Sequence, residues 1–124
     1  MAKKILIIDD TDSDRKIVTR FLNKAGYANI VIAVNGEEGV AKAQSENPDL
    51  VITDTMMPGI DGFETCRQIR EAHDQETMKI IVTTGAIDAV DAVKARKAGA
   101  NDYCVKTSDP TQLIAAVKAC IGEA

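Results

Sequence analysis

Polar side chains stand at the ends of four short apolar runs, and their types suit one chemistry. Asp9 and Asp10 follow 5-ILII-8, and Asp54 follows 50-LVIT-53. Thr83 and Thr84 close 80-IIVTT-84, and Lys106 follows 103-YCV-105. A carboxylate that ends a buried strand is costly unless it is paired, hydrogen-bonded or bound to metal. Carboxylates gathered in one cleft either take up a proton or bind a cation. Oxygen donors with no His or Cys beside them favour a hard ion. So few carboxylates leave room for water and phosphate oxygens, which suits Mg²⁺ better than a fully caged Ca²⁺. Lys106 offers a point charge to a phosphate oxygen, and Thr84 adds a hydroxyl donor. Carboxylate nucleophile, metal, lysine and hydroxyl together are the equipment of phosphoryl transfer.

Singly, each residue has a plainer explanation. Asp12 and Asp14 are read as acids capping the helix that follows the first run, Thr83 as an ordinary β-branched strand residue. The signal lies in their coincidence at one edge of one sheet.

That edge depends on the elements. The runs 5-ILII-8, 30-IVIAV-34, 50-LVIT-53, 80-IIVTT-84 and 103-YCV-105 are continuous and rich in Ile and Val, the pattern of parallel strands buried on both faces. Between them lie segments of helical period. Ile17, Val18, Phe21, Leu22 and Ala25 share a face in the first, as do Phe63, Cys66 and Ile69 in the third, and Leu113, Val117, Cys120 and Ile121 in the last. Gly26, Gly99 and Gly122 sit where C-terminal caps belong, and Asp109-Pro110 reads as an N-cap with proline at the first helical position. The fourth helix, 88-DAVDAVKARKAG-99, is alanine-rich, so its packing is expected to be the least secure. Five strands alternating with five helices predict an α/β domain with a doubly wound parallel sheet, and right-handed crossovers allow the flavodoxin-like order 2-1-3-4-5. In that order the first and third strands are neighbours, so Asp9, Asp10 and Asp54 meet at the switch point.

The chain has 124 residues, 45% of them hydrophobic and 27% charged, which makes one globular domain over 1–124. A net charge of -4 and only 3% aromatic residues argue against a general nucleic-acid surface. Cys66, Cys104 and Cys120 lie in apolar patterns without metal-ligand spacing and are expected to be reduced, buried small hydrophobes. The opening MAKKILIIDD is too short in apolar residues for a signal peptide or a membrane span, so no membrane association and a cytoplasmic location are expected. His73 lies in a polar stretch and is read as a surface residue.

The segments IIDD, TDTMMPGIDG, VTTGA and YCVKT, in this order and spacing, resemble the receiver domain of bacterial response regulators, of the single-domain, chemotaxis-regulator-like kind. The likeness runs through the whole chain. It implies that Asp54 is the phospho-accepting aspartate, Asp10 the direct Mg²⁺ ligand, and Asp9 the acid that holds the metal through water. It further implies that Met56 offers a main-chain carbonyl to the metal, and that Thr84 is the switch hydroxyl. Lys106 then matches the phosphate-binding lysine and Tyr103 the aromatic of the switch. The implied function is that of a phosphoacceptor in two-component signalling, which promotes its own phosphorylation and autodephosphorylation and is not otherwise an enzyme. A histidine kinase or phosphotransfer protein would be the donor. A downstream protein would be engaged through the fourth helix, fifth strand and fifth helix, and with no output domain expected in 1–124, output would pass by protein contact.

One position departs from the pattern. The residue after Lys106 is Thr107 where receivers usually have proline through a cis bond, and a non-proline bond defaults to trans by about 3 kcal/mol. A trans bond is expected to aim Lys106 differently. Gly85, small and next to Thr84, is expected to leave Asp54 open to donors and water. Three rivals fit less well. A flavin-binding protein needs a Gly- and hydroxyl-rich phosphate loop where this chain has 9-DDTDSD-14. An aspartate-nucleophile phosphohydrolase needs a second acid two residues on, where Met56 stands. The third, a phosphorylation-independent interaction module, would explain Thr107 but not the intact acidic residues.

Overall fold

The computed structural model describes residues 3–86 and 88–124. Met1 and Ala2, the start of the N-terminal stretch weighed above, lie outside the described residues. The elements alternate as β1 (Lys4–Ile8), α1 (Asp12–Lys24), β2 (Asn29–Ala33), α2 (Gly36–Glu46), β3 (Leu50–Asp54), α3 (Gly62–Arg70), β4 (Lys79–Thr84), α4 (Ala89–Ala98), β5 (Asp102–Val105) and α5 (Thr111–Ile121). All pairings are parallel, in the order β2-β1-β3-β4-β5. This is the flavodoxin-like, doubly wound sheet expected from the spacing of the apolar runs.

Alternate residues of each central strand serve opposite layers. Leu6, Ile8, Val51, Ile80 and Val82 meet Ala43 of α2, Cys66 and Ile69 of α3, and Ala95 and Ala98 of α4. Ile5, Ile7, Leu50, Ile52 and Ile81 meet Leu22 of α1 and Leu113, Ala116 and Val117 of α5. Only β1, β3 and β4 are buried on both faces; β2 and β5 are half-buried, because an edge strand has one neighbour and thinner helical cover. Continuous apolar runs therefore overstated the burial of the two edges.

Two other expectations need correction. Ile17 is 41% exposed although it falls in the apolar pattern of α1, since it lies at the lip facing the β5–α5 loop instead of over the sheet. Pro110 precedes the first residue of α5 instead of occupying it, while Asp109 still caps the helix through Oδ1, which accepts from the Thr111 amide at 2.9 Å. The fourth helix is as thinly anchored as its composition predicts. Ala95 and Ala98 are its buried residues, and Val90 and Val93 are exposed.

The cysteines are free; Cys66 and Cys104 are buried and Cys120 is half-buried. Burial pushes the Cys66 thiol up to about 11 and the Cys104 thiol up to about 12. Both values are raised above the ordinary 9.0, so the stability these thiols contribute is present below pH 9 and is lost as pH rises toward 11–12. Native protein at pH 8 is expected to leave Cys66 and Cys104 unmodified by an alkylating reagent, and unfolded protein to label at both, as counted by intact mass. Labelling of both in the native protein at the unfolded rate would contradict this burial. Among the described residues no helix is long and apolar enough to cross a membrane.

Candidate functional site

The order of the sheet reverses direction at β1 and β3, and these strands pair with Ile8 beside Thr53. The residues that follow, Asp9 and Asp10 on one side and Asp54 on the other, are thereby carried to the same point at the carboxyl edge. Carboxylate oxygens of Asp9, Asp10 and Asp54 all lie within 4.8 Å of one another. Asp9 and Asp54 are buried and Asp10 is exposed. Main-chain amides hold the buried pair: Thr11 donates to Asp9 Oδ1 at 3.0 Å, and Thr55 donates to Asp54 Oδ1 at 2.8 Å.

Lys106 enters from β5, with β4 lying between it and β3. Its amide donates to the Thr84 carbonyl at 2.6 Å, which extends the β4–β5 ladder by one residue and aims the side chain over the edge. The ammonium lies 2.8 Å from Asp9 Oδ2 and 3.2 Å from Asp54 Oδ2. No peptide bond among the described residues is cis, so Lys106-Thr107 is trans as expected. The ammonium reaches the acids nevertheless, so the trans bond does not divert it.

Asp14 corrects the sequence reading. It does not cap α1; from the first helical turn its Oδ2 lies 2.7 Å from Lys106 Nζ. Asp12 does not cap either, and instead pairs with Arg15 at 3.2 Å and Lys16 at 3.1 Å on the outer face. Arg15 was also missed, and its Nη1 donates to the Asp9 carbonyl at 2.7 Å, fixing the β1–α1 corner. A signal for Asp14 was present: it stands three, four and seven residues before Ile17, Val18 and Phe21, an acid on the apolar stripe of its helix.

Three carboxylates thus share one ammonium, and Asp10 stands beside two of them. Burial raises the Asp54 carboxyl above its ordinary value of 3.8; Lys106 opposes this and the charge of Asp9 adds to it. For Lys106, burial alone would lower the value, but hydrogen bonds to Asp14 and Asp9 and the charge of Asp54 raise it, so the ammonium stays charged. The oxygens of Asp9, Asp10 and Asp54 are close to the roughly 4 Å span across an octahedral Mg²⁺ with bonds of about 2.1 Å. Donor type, spacing and surplus negative charge all fit a hard divalent ion.

Among the described residues the other candidate side chains make no hydrogen bond to these acids. Thr84 is buried, and its hydroxyl donates to the Ala86 carbonyl at 3.0 Å. The Thr83 hydroxyl donates to the Thr53 carbonyl at 3.3 Å, a strand contact and no more. The Tyr103 ring packs against the cluster under α2–α4, and its hydroxyl is already buried without a hydrogen-bond partner among the described residues. Met56 is 81% exposed, so its side chain lies largely in solvent, whereas Met57 packs on the core. Gly85 is exposed, with nothing within 4 Å of where a Cβ would stand. The His73 ring hydrogen-bonds Gln44 at 3.2 Å on the surface.

A family model described as the response regulator receiver domain matches residues 5–118. The chain is 40% identical over 121 residues to the transcriptional regulatory protein ResD of Bacillus subtilis, covering 98% of this chain and 49% of that protein. It is 34% identical to protein PilH of Pseudomonas aeruginosa, covering 95% of this chain and 97% of PilH. Among solved structures, a response regulator from Chloroflexus aurantiacus superposes with a TM-score of 0.89 at 32% identity, covering 97% of this chain and 98% of that one. The chain belongs to the response regulator receiver domain family, and phosphoacceptor function in two-component signalling is supported by that membership. It spans about half the length of ResD and of the other transcriptional regulators first matched.

Proposed function

We propose that Asp54 is the phosphoacceptor and that this acidic cleft carries out the transfer. The observation that carries the reading is the convergence of Asp9, Asp10 and Asp54 within 4.8 Å, with Lys106 Nζ 3.2 Å from Asp54. A histidine kinase or phosphotransfer protein presents phosphohistidine. An Asp54 carboxylate oxygen attacks phosphorus in line, the P–N bond breaks, and its electron pair returns to the imidazole, which takes up a proton. Lys106 donates to a phosphoryl oxygen as charge develops. Asp9, Asp10, Asp54 and the Met56 carbonyl would hold a Mg²⁺ ion, which would supply Lewis-acid neutralisation of the phosphoryl oxygens. Autodephosphorylation is attack by water on the same phosphorus, which returns Asp54 to a carboxylate and releases phosphate.

The Thr84 hydroxyl then exchanges its Ala86 partner for a phosphoryl oxygen, and Tyr103 follows. Their movement biases the surface of α4, β5 and α5 toward a downstream protein. The exposed Val90 and Val93 and the thin anchoring of α4 support this surface as the mobile one. Buried, reduced thiols suit a reducing compartment, and the location proposed is cytoplasmic.

Intact mass after incubation with acetyl phosphate tests the assignment. One phosphoryl adduct is expected with Mg²⁺, none in its absence and none in Asp54→Asn. A folded wild-type protein that gains no adduct would instead support the phosphorylation-independent interaction module.

A further inference from the structure

We propose that Asp14 is a positioning residue for Lys106 that competes with the phosphoryl group for its ammonium and so sets how tightly the site holds phosphate. The inference rests on Asp54 being the acceptor. A lysine ammonium has three N–H donors. Here they face Asp14 at 2.7 Å, Asp9 at 2.8 Å and Asp54 at 3.2 Å, so the shortest contact goes to the residue outside the acceptor and metal set.

Phosphorylation treats these acids differently. The attacking oxygen of Asp54 becomes the bridging oxygen of an acyl phosphate, and that side chain loses its charge. Asp9 would share its charge with a bound metal. Asp14 keeps a full charge, and Lys106 is its one ion-pair partner among the described residues. Its side chain is about two-thirds buried, at 34% exposure, which limits how far water can replace the lysine. A phosphoryl oxygen therefore takes up the donor that Asp54 releases while the ammonium is still held by Asp14, and it does so against the repulsion of that carboxylate. Asp12 lies in the same helical turn and carries the same charge, but it faces Arg15 and Lys16. It is a built-in control for charge and for helix position.

Beryllofluoride, a mimic of a phosphoryl group on a carboxylate, measures the hold directly. Titrated calorimetrically at saturating Mg²⁺, Asp14→Asn is expected to bind it about three- to fivefold more tightly than wild type, the scale of a partly exposed charge interaction. Asp12→Asn is expected to bind as wild type does. In a Lys106→Gln background the gain from Asp14→Asn should shrink, which a merely structural role would not produce. Asp14→Ser serves in place of Asp14→Asn if the latter does not fold. Unchanged or weaker binding in the Asp14 variants, or equal tightening in Asp12→Asn, overturns the proposal. A folded wild type that binds no beryllofluoride and takes no phosphoryl group overturns the acceptor reading instead.

Discussion

Gly62→Ala is expected to destabilise the protein by about 3 kcal/mol or more, beyond the usual range for overpacking because the obstacle is main chain. A Cβ at Gly62 would overlap the Asp54 carbonyl oxygen and stand 2.8 Å from the Asp54 carbonyl carbon and 2.9 Å from Thr55 Cα. The close approach is built in. The Gly62 amide donates to the Thr55 carbonyl at 2.9 Å, which pins the start of α3 against the end of β3. Neither backbone can retreat cheaply, since β3 is paired on both sides and buried throughout. The folded population that survives should also phosphorylate poorly, because the displaced atoms belong to Asp54, the proposed acceptor. Chemical denaturation of Gly62→Ala beside Gly85→Ala checks this. The second site is open, with nothing within 4 Å of an added Cβ, so its stability should stay near wild type. Equal stability of the two variants would show that the β3–α3 junction yields easily.

Lys106→Gln is expected to lower stability by about 2–4 kcal/mol at pH 7, somewhat less than the loss of a fully buried partner, because the lysine is 21% exposed. The substitution removes the ammonium that Asp9, Asp14 and Asp54 share. The deficit should shrink on acidification. The Asp54 carboxyl is already raised above 3.8 by burial, and losing Lys106 removes an opposing influence, so it rises further. Between that raised value and 3.8 the folded mutant binds more protons than the unfolded chain, so its stability increases as pH falls through this window. Millimolar Mg²⁺ at neutral pH should recover part of the loss by binding the folded state alone. Denaturation midpoints at several pH values, with and without Mg²⁺, test all three statements. A deficit that is constant with pH and indifferent to Mg²⁺ would mean that Lys106 acts through packing and not through charge.

Several features of this protein followed from sequence alone because they are properties of main-chain position. Apolar runs of Ile and Val define where strands begin and end, and five of them alternating with helices admit few topologies. Once β1 and β3 are neighbours, residues just past their ends must meet, whatever their side chains do. The meeting of Asp9, Asp10 and Asp54 was legible for that reason, whereas Lys106, which follows β5, crosses the width of β4 on its long side chain to reach them. Only the tertiary structure decided matters that depend on how an element is rotated and how closely it approaches another. Asp14 faces Lys106 while Asp12 faces Arg15 and Lys16 because α1 is rolled so that Asp14 and Ile17 lie along the groove beside the β5–α5 loop. The same roll leaves Ile17 exposed within an apolar pattern. The partner of the Thr84 hydroxyl and the overlap that excludes a side chain at Gly62 are contacts between segments distant or turned in sequence. Periodicity encodes which residues share a face; the packing distances that select one face over another arise from all the layers together.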